Sequence, residues 1–259
     1  MAADSSQAVA REPEAAPGRD RSRLALAWYE VVRMATVLYC SIRGGIRVTG
    51  RENLPAGGPA LIVSNHLSFL DVFVLGLGVP RPLNYMARSS LFFPPLGALI
   101  RSVGGFPIQR EGMGAQGLKE TLRRLRAGGL ILLFPEGTRS RDGELGPLKP
   151  GIAALARKAR APIIPAAVAG TFEAWPHGRP WPRAHPIRIH YGAPIPPAQI
   201  ASLDPDTVTA LLRDRILACQ AEARRNLNSA STLEPDEQAC PPGPRQPSRT
   251  AVGDPARFD

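Results

Sequence analysis

A single α/β domain with a central mixed, largely parallel sheet flanked by helices is the fold class the sequence predicts. Two observations predict it. Leu61-Ile62-Val63, Leu130-Ile131-Leu132-Leu133-Phe134 and Ile163-Ile164-Pro165-Ala166-Ala167-Val168 are short apolar runs bounded by Gly or Pro, and they suit strands buried on both faces. Between these runs lie stretches with apolar residues at helical spacing, and strands alternating with helices imply a parallel sheet. With 259 residues and 44% hydrophobic content, the chain can bury one substantial core.

Taken in order, residues 1–22 are rich in Ala, Pro, Arg and acids without apolar periodicity, and read as a disordered tail. Residues 23–46 form a helical segment, strongly apolar through Leu24, Leu26, Trp28, Val31, Val32, Met34, Val37, Leu38, Tyr39 and Ile42. Glu30 and Arg33 interrupt it, which is costly for a membrane-spanning helix. Trp28 and Tyr39, with Arg23, Arg33 and Arg43, are the residue types of a lipid headgroup boundary. The segment is therefore read as membrane-associating, with a helix packed on the protein's own core as the alternative. The main domain spans 47–226. In it, Met113 to Ala127 carries Leu118, Leu122 and Leu125 at helical spacing and stops at Gly128-Gly129. Gly151 to Ala161 and Asp206 to Asn226 also read as helices. Ile187-Arg188-Ile189-His190-Tyr191 alternates, which predicts a more exposed strand. Residues 227–259 are broken by six prolines and read as a second disordered tail.

The net charge of +10 is unevenly spread: both tails are net negative, and the body between them is more basic than the whole. A basic body suits an anionic surface or substrate. Cys40, Cys219 and Cys240 are scattered and lack metal-ligand spacing, which argues for a reducing compartment and against a disulfide scaffold or a metal site. No apolar run follows Met1, so no secretory signal is expected.

Three loops carry chemistry. Ser64-Asn65-His66-Leu67-Ser68-Phe69-Leu70-Asp71 directly follows the first buried strand, where open α/β sheets bind ligands. A His with a carboxylate partner is the arrangement of a general base. Five residues apart, the two would diverge by about 140° within one helix, so the pair requires His66 in the loop and Asp71 in the first helical turn. Ser68-x-x-Asp71 also matches a helix-capping signature, so Asp71 has a purely structural alternative. Phe134-Pro135-Glu136-Gly137-Thr138-Arg139-Ser140 follows the strongest strand. There Arg139 can fork onto a phosphate and Glu136 can accept a hydroxyl hydrogen bond; a solvated turn with a surface ion pair is the alternative. Gly104-Gly105-Phe106-Pro107-Ile108-Gln109-Arg110 reads as a short strand ending in a second cation.

The order and spacing of these blocks, together with Ala161-Pro162-Ile163-Ile164-Pro165, resemble the four-block pattern of the glycerolipid acyltransferases, with closest likeness to the 1-acylglycerol-3-phosphate O-acyltransferases. The resemblance runs from about residue 23 to about residue 200, and Lys149-Pro150-Gly151 shares it. It implies transfer of a fatty-acyl chain from acyl-CoA or acyl-ACP to the sn-2 hydroxyl of 1-acylglycerol-3-phosphate. His66 would be the base and Asp71 its orienting partner. Arg110, Glu136, Gly137, Thr138 and Arg139 would contact the glycerol phosphate, and the fourth block would border the acyl or donor site. Pro107 departs from the pattern, where an apolar residue such as Phe is usual, and makes the local strand geometry an open point. The expected partners are a lysophospholipid, the acyl donor and an anionic membrane surface, at the cytoplasmic face of the inner membrane. No cofactor, metal or nucleic acid is implied. No G-x-S-x-G elbow and no P-loop is present, so direct transfer is expected rather than an acyl-enzyme. Two rivals remain: the same chemistry on another lyso-lipid such as lyso-ornithine lipid, and a non-catalytic basic binding module.

Overall fold

The computed structural model describes residues 22–108 and 114–231. The first part forms α1 (Arg23–Ile42), β1 (Ile46–Thr49), β2 (Ala60–Ser64), α2 (Asp71–Gly78), β3 (Leu83–Arg88), α3 (Leu96–Ser102) and β4 (Gly105–Ile108). The second forms α4 (Ala115–Arg126), β5 (Leu130–Leu133), α5 (Gly151–Ala159), β6 (Ile163–Ala169), α6 (Thr171–Ala174), β7 (Ile187–Tyr191), α7 (Pro197–Ala201) and α8 (Pro205–Ser231). The disordered tails expected at the two ends fall, apart from Ser22 and residues 227–231, outside the described residues, as does Arg110.

The α/β architecture is the one the sequence predicts. Seven strands form one sheet in the order β1-β7-β6-β2-β5-β3-β4, and only the β6–β7 pair is antiparallel. The apolar runs explain the layering. Along β2, Ala60 and Ile62 face one helical layer while Leu61 and Val63 face the other. On β5, Leu130 and Leu132 separate from Ile131 and Leu133 in the same way. The first layer packs Tyr29 and Cys40 of α1, Val74 and Leu75 of α2 and Ile100 of α3 on the sheet. The second packs Leu125 of α4, Ile152 and Leu155 of α5, and Val208, Leu212 and Ile216 of α8. Strands covered on both faces need no polar alternation, which is why they read as unbroken apolar runs.

The structure corrects one expectation, answers the open point at Pro107 and places the fourth block in the sheet. β7 is buried, not exposed: Ile187, Ile189 and Tyr191 are 2%, 1% and 0% exposed, because β7 lies between β1 and β6 with α8 laid along it. Its alternating Arg188 is also buried, and its guanidinium donates to the carbonyls of Asn226 and Ile187. Pro107 does not disturb its strand, because β4 is the sheet edge and an edge strand tolerates a residue without an N–H. The run Ala161 to Pro165 begins β6 at the far end from His66, with Ile163 level with Leu61, and its apolar side chains are core. β1 and β3 escape a reading by apolar runs: β1 is four residues with two polar ones, and β3 carries Asn84 and ends in exposed Arg88.

α1 docks by one face. Ser22 caps its first turn, Tyr29 is buried with its hydroxyl accepting from the Leu83 N–H, and Trp28 donates to Ser102 Oγ at 2.9 Å. Leu24, Val31, Met34, Leu38 and Ile42 are exposed. No helix among the described residues is long and apolar enough to cross a membrane.

Candidate active site

Because β2, β5, β3, β4 and β6 run parallel, their C-terminal ends share one edge of the sheet, and the loops after β2 and β5 leave from it. The loop after β2 is anchored first. Asn65, fully buried, donates to the Val168 carbonyl and accepts the Val168 N–H at 3.0 and 2.9 Å, tying the loop to β6 as an extra strand residue would. His66 follows in the loop, and Asp71 is the first residue of α2, the disposition that the five-residue gap demands.

Asp71 serves both of its readings at once. A single oxygen, Oδ2, accepts the N–H groups of Leu67 at 2.6 Å and Ser68 at 2.8 Å, and meets His66 Nδ1 at 2.8 Å. An oxygen already accepting two amides can only accept from the ring as well, so the His66 proton sits on Nδ1 and Nε2 is left as the basic nitrogen. The other oxygen, Oδ1, is buried without a partner among the described residues. Half of the capping box forms. Asp71 takes the Ser68 N–H, but the Ser68 hydroxyl donates to the Trp175 carbonyl and accepts from the Leu70 N–H instead of the Asp71 N–H.

The loop after β5 closes over this pair. Phe134 stacks on the His66 ring with centroids 3.9 Å apart and planes 13° from parallel. Gly137 has φ +67°, a left-handed turn that a Cβ would strain. Glu136 is buried, with Oε1 accepting the His66 N–H and Oε2 the Gly146 N–H, each at 2.9 Å. Burial pushes its carboxyl above the usual range, with the two amide hydrogen bonds opposing. Gly137 and Thr138 are exposed on the same turn. Arg139 is half-buried with its guanidinium 3.6 Å over the Phe69 ring. Burial holds that guanidinium below its usual range; the Asp71 charge opposes this and the Arg88 charge adds to it.

The structure thus brings His66, Asp71 and Glu136 into direct hydrogen-bonded contact and sets Gly137, Thr138 and Arg139 on the turn above them. Two residues that sequence reasoning left without a role belong to the same edge. Phe134 is one; its signal is its place immediately after a buried strand. Arg88, at the C-terminal end of β3 and close enough to be felt by Arg139, is the other. Missing β3 in the sequence meant missing Arg88. Cys40 and Cys219 are buried with thiols pushed up to about 11, so neither supplies a thiolate nucleophile.

Residues 45–169 match a family model described as Acyltransferase. The chain is 32% identical to the 1-acyl-sn-glycerol-3-phosphate acyltransferase of Bacillus subtilis over 177 residues, covering 68% of this chain and 86% of that one. It is 36% identical over 135 residues to the chloroplastic 1-acyl-sn-glycerol-3-phosphate acyltransferase BAT2 of Brassica napus, where it spans 51% of this chain but only 39% of that longer relative. In fold it resembles the crystal structure of the 1-acyl-sn-glycerophosphate acyltransferase PlsC from Thermotoga maritima, with a TM-score of 0.66 and 22% identity over 83% of this chain and 84% of that one. Sequence likeness over nearly the whole of a bacterial relative, carried by a domain that includes all the loops described above, places the chain in the 1-acyl-sn-glycerol-3-phosphate acyltransferase family.

Proposed function

We propose that the protein transfers a fatty-acyl chain from an acyl thioester, acyl-CoA or acyl-ACP, to the sn-2 hydroxyl of 1-acylglycerol-3-phosphate, giving phosphatidic acid for phospholipid synthesis. The observation that carries this reading is the Asp71–His66 pair at 2.8 Å, oriented to leave Nε2 basic, beside the desolvated guanidinium of Arg139. His66 Nε2 takes the proton of the acceptor hydroxyl as its oxygen attacks the thioester carbonyl carbon. Asp71 stabilises the imidazolium that results. The tetrahedral oxyanion collapses, the C–S bond breaks, and the imidazolium returns its proton to the departing thiolate. An ester and a free thiol are formed without any group that changes oxidation state. Arg139, with Arg88 from the neighbouring strand end, holds the acceptor phosphate, with Gly137 and Thr138 on the exposed face of the turn; Arg110 is the further cation that the family resemblance implies.

The same reading places the protein on the surface of an anionic bilayer through α1. Leu24, Trp28, Val31, Met34, Leu38 and Ile42 recur every three or four residues and are all exposed, a stripe of the kind that lies in a headgroup boundary. The experiment is one assay matrix: purified protein with acyl-CoA or acyl-ACP, offered lysophosphatidate, other lysophospholipids or lyso-ornithine lipid. Acylation of lysophosphatidate above all other acceptors is expected. Preference for an acceptor without a phosphate would overturn the assignment of Arg139.

A further inference from the structure

The loop after β5 grips His66 at three points. The His66 N–H donates to Glu136 Oε1 at 2.9 Å, its carbonyl accepts from the Ser140 N–H at 2.7 Å, and its ring stacks on Phe134 at 3.9 Å. Both polar groups of the His66 main chain are therefore pinned to one segment, and the ring is pressed on one side by an aromatic face while Asp71 holds its edge. Glu136 is the centre of this grip. It is 4% exposed, makes no ion pair among the described residues, and gives one oxygen to His66 and the other to Gly146. The Gly146 side is itself braced by α8: Arg213 donates to the carbonyls of Gly146 and Leu145, and Gln220 and Arg224 donate to the carbonyl of Gly143.

We infer that Glu136 is a positioning residue for His66 and not a ligand of the acceptor. The inference rests on His66 being the base of the proposed reaction. A carboxylate suits the task because each of its two oxygens can accept from a different main-chain segment. Glutamine at this position would offer one acceptor and turn its NH2 toward an N–H donor, so one of the two contacts would be lost. Aspartate, one methylene shorter, would not reach both. A ligand role fits poorly, since the side chain is 4% exposed and its carboxyl is turned into the main chain of two loop segments. The exposed Gly137 and Thr138 and the half-buried Arg139 are what the same turn presents outward. Burial raises the Glu136 carboxyl, and the two main-chain hydrogen bonds oppose that shift.

The test uses the full chain as wild type, E136Q, F134L and R139A, with two readouts. The first is steady-state acylation of lysophosphatidate in mixed micelles, resolved into kcat and KM. The second is the nitrogen-15 signal of the His66 ring, assigned by its absence in H66A, which follows the Asp71-bonded Nδ1–H without any substrate. Positioning predicts that E136Q lowers kcat about 100-fold, the scale of a small misplacement of a reacting group, with KM held within about twofold. It also predicts that the Nδ1–H signal shifts or broadens in E136Q. F134L, which keeps an apolar volume but removes the stack, should move the same two quantities less. R139A should raise KM and leave the His66 signal alone. A tenfold rise in KM for E136Q with kcat and the His66 signal intact would make Glu136 a ligand and overturn the inference; so would an E136Q protein indistinguishable from wild type. If wild type acylates none of the acceptors offered, the proposed function fails, while the His66 signal still decides whether Glu136 holds the ring.

Discussion

The loop after β2 and the helix α1 invert each other's chemistry. In the loop, polar groups are buried: Ser64, Asn65, Ser68 and Asp71 are each 0% exposed. In α1, large apolar groups face outward, with Leu24 at 81% and Ile42 at 73% exposed. Each departs from the rule that apolar groups lie inside and polar groups outside, and each departure has a different cost. Buried polar groups need partners, and here nearly every one has them, drawn from β6, from Trp175 just after α6 and from the loop itself. An exposed apolar stripe needs a surface, and nothing among the described residues supplies one. The loop is therefore a completed structure, and in the proposed function it acts on a substrate, whereas α1 is half of a contact whose other half is lipid.

The comparison can be broken at its strongest point first. His66→Ala should lower acyl transfer by about 1,000-fold or more while the thermal unfolding midpoint stays close to wild type, since His66 is a loop residue and not core. A folded variant with near-normal turnover would sink the mechanism. Asp71→Asn should cost about 100-fold. Its amide oxygen can still accept the Leu67 and Ser68 N–H groups, but its NH2 would then face Nδ1 and favour the wrong tautomer. If Asp71 were only a helix cap, this variant would keep its turnover, so kcat measured beside helical stability separates the two roles. Arg139→Ala should raise KM for lysophosphatidate about tenfold with a smaller change in kcat, from loss of a charge-assisted contact. A donor KM that rises instead would assign that loop to the thioester. The smallest effect on chemistry belongs to α1. Met34→Glu with Leu38→Glu should abolish flotation with anionic vesicles yet leave micellar turnover within about twofold, because neither side chain is in the core. Loss of both together would mean that α1 shapes the site and does not merely dock it.

Much of the fold was legible without coordinates because its signals are local. An unbroken apolar run bounded by glycine or proline reports a strand covered on both faces, and β2, β5 and β6 were found that way. The five-residue gap from His66 to Asp71 demanded a loop followed by a first helical turn, and the structure has that arrangement. Alternation misreads β7 because it describes side chains and not what is stacked on them; α8 covers it, with Asn226 meeting Arg188 from 38 residues along the chain. β3 is interrupted by Asn84, whose amide donates to the Leu130 carbonyl on the neighbouring strand, so its polarity is satisfied by a partner that the local sequence does not reveal.

The candidate site divides in the same way. Residue types and spacing by themselves marked the candidate loops, put a carboxylate within reach of His66 and supplied basic residues that suit an anion; they left a structural alternative open for each. Where the Glu136 carboxyl sits was decided only by tertiary structure. It lies 70 residues from His66, and the two meet because β2 and β5 are adjacent parallel strands whose following loops leave the same edge of the sheet. The physical reason is that hydrophobic periodicity is written in neighbouring residues, while the partners of a buried polar group are chosen by which strands pair. A carboxylate in a loop reads as exposed in the sequence, whereas the fold turns this one inward, with each oxygen accepting a main-chain N–H.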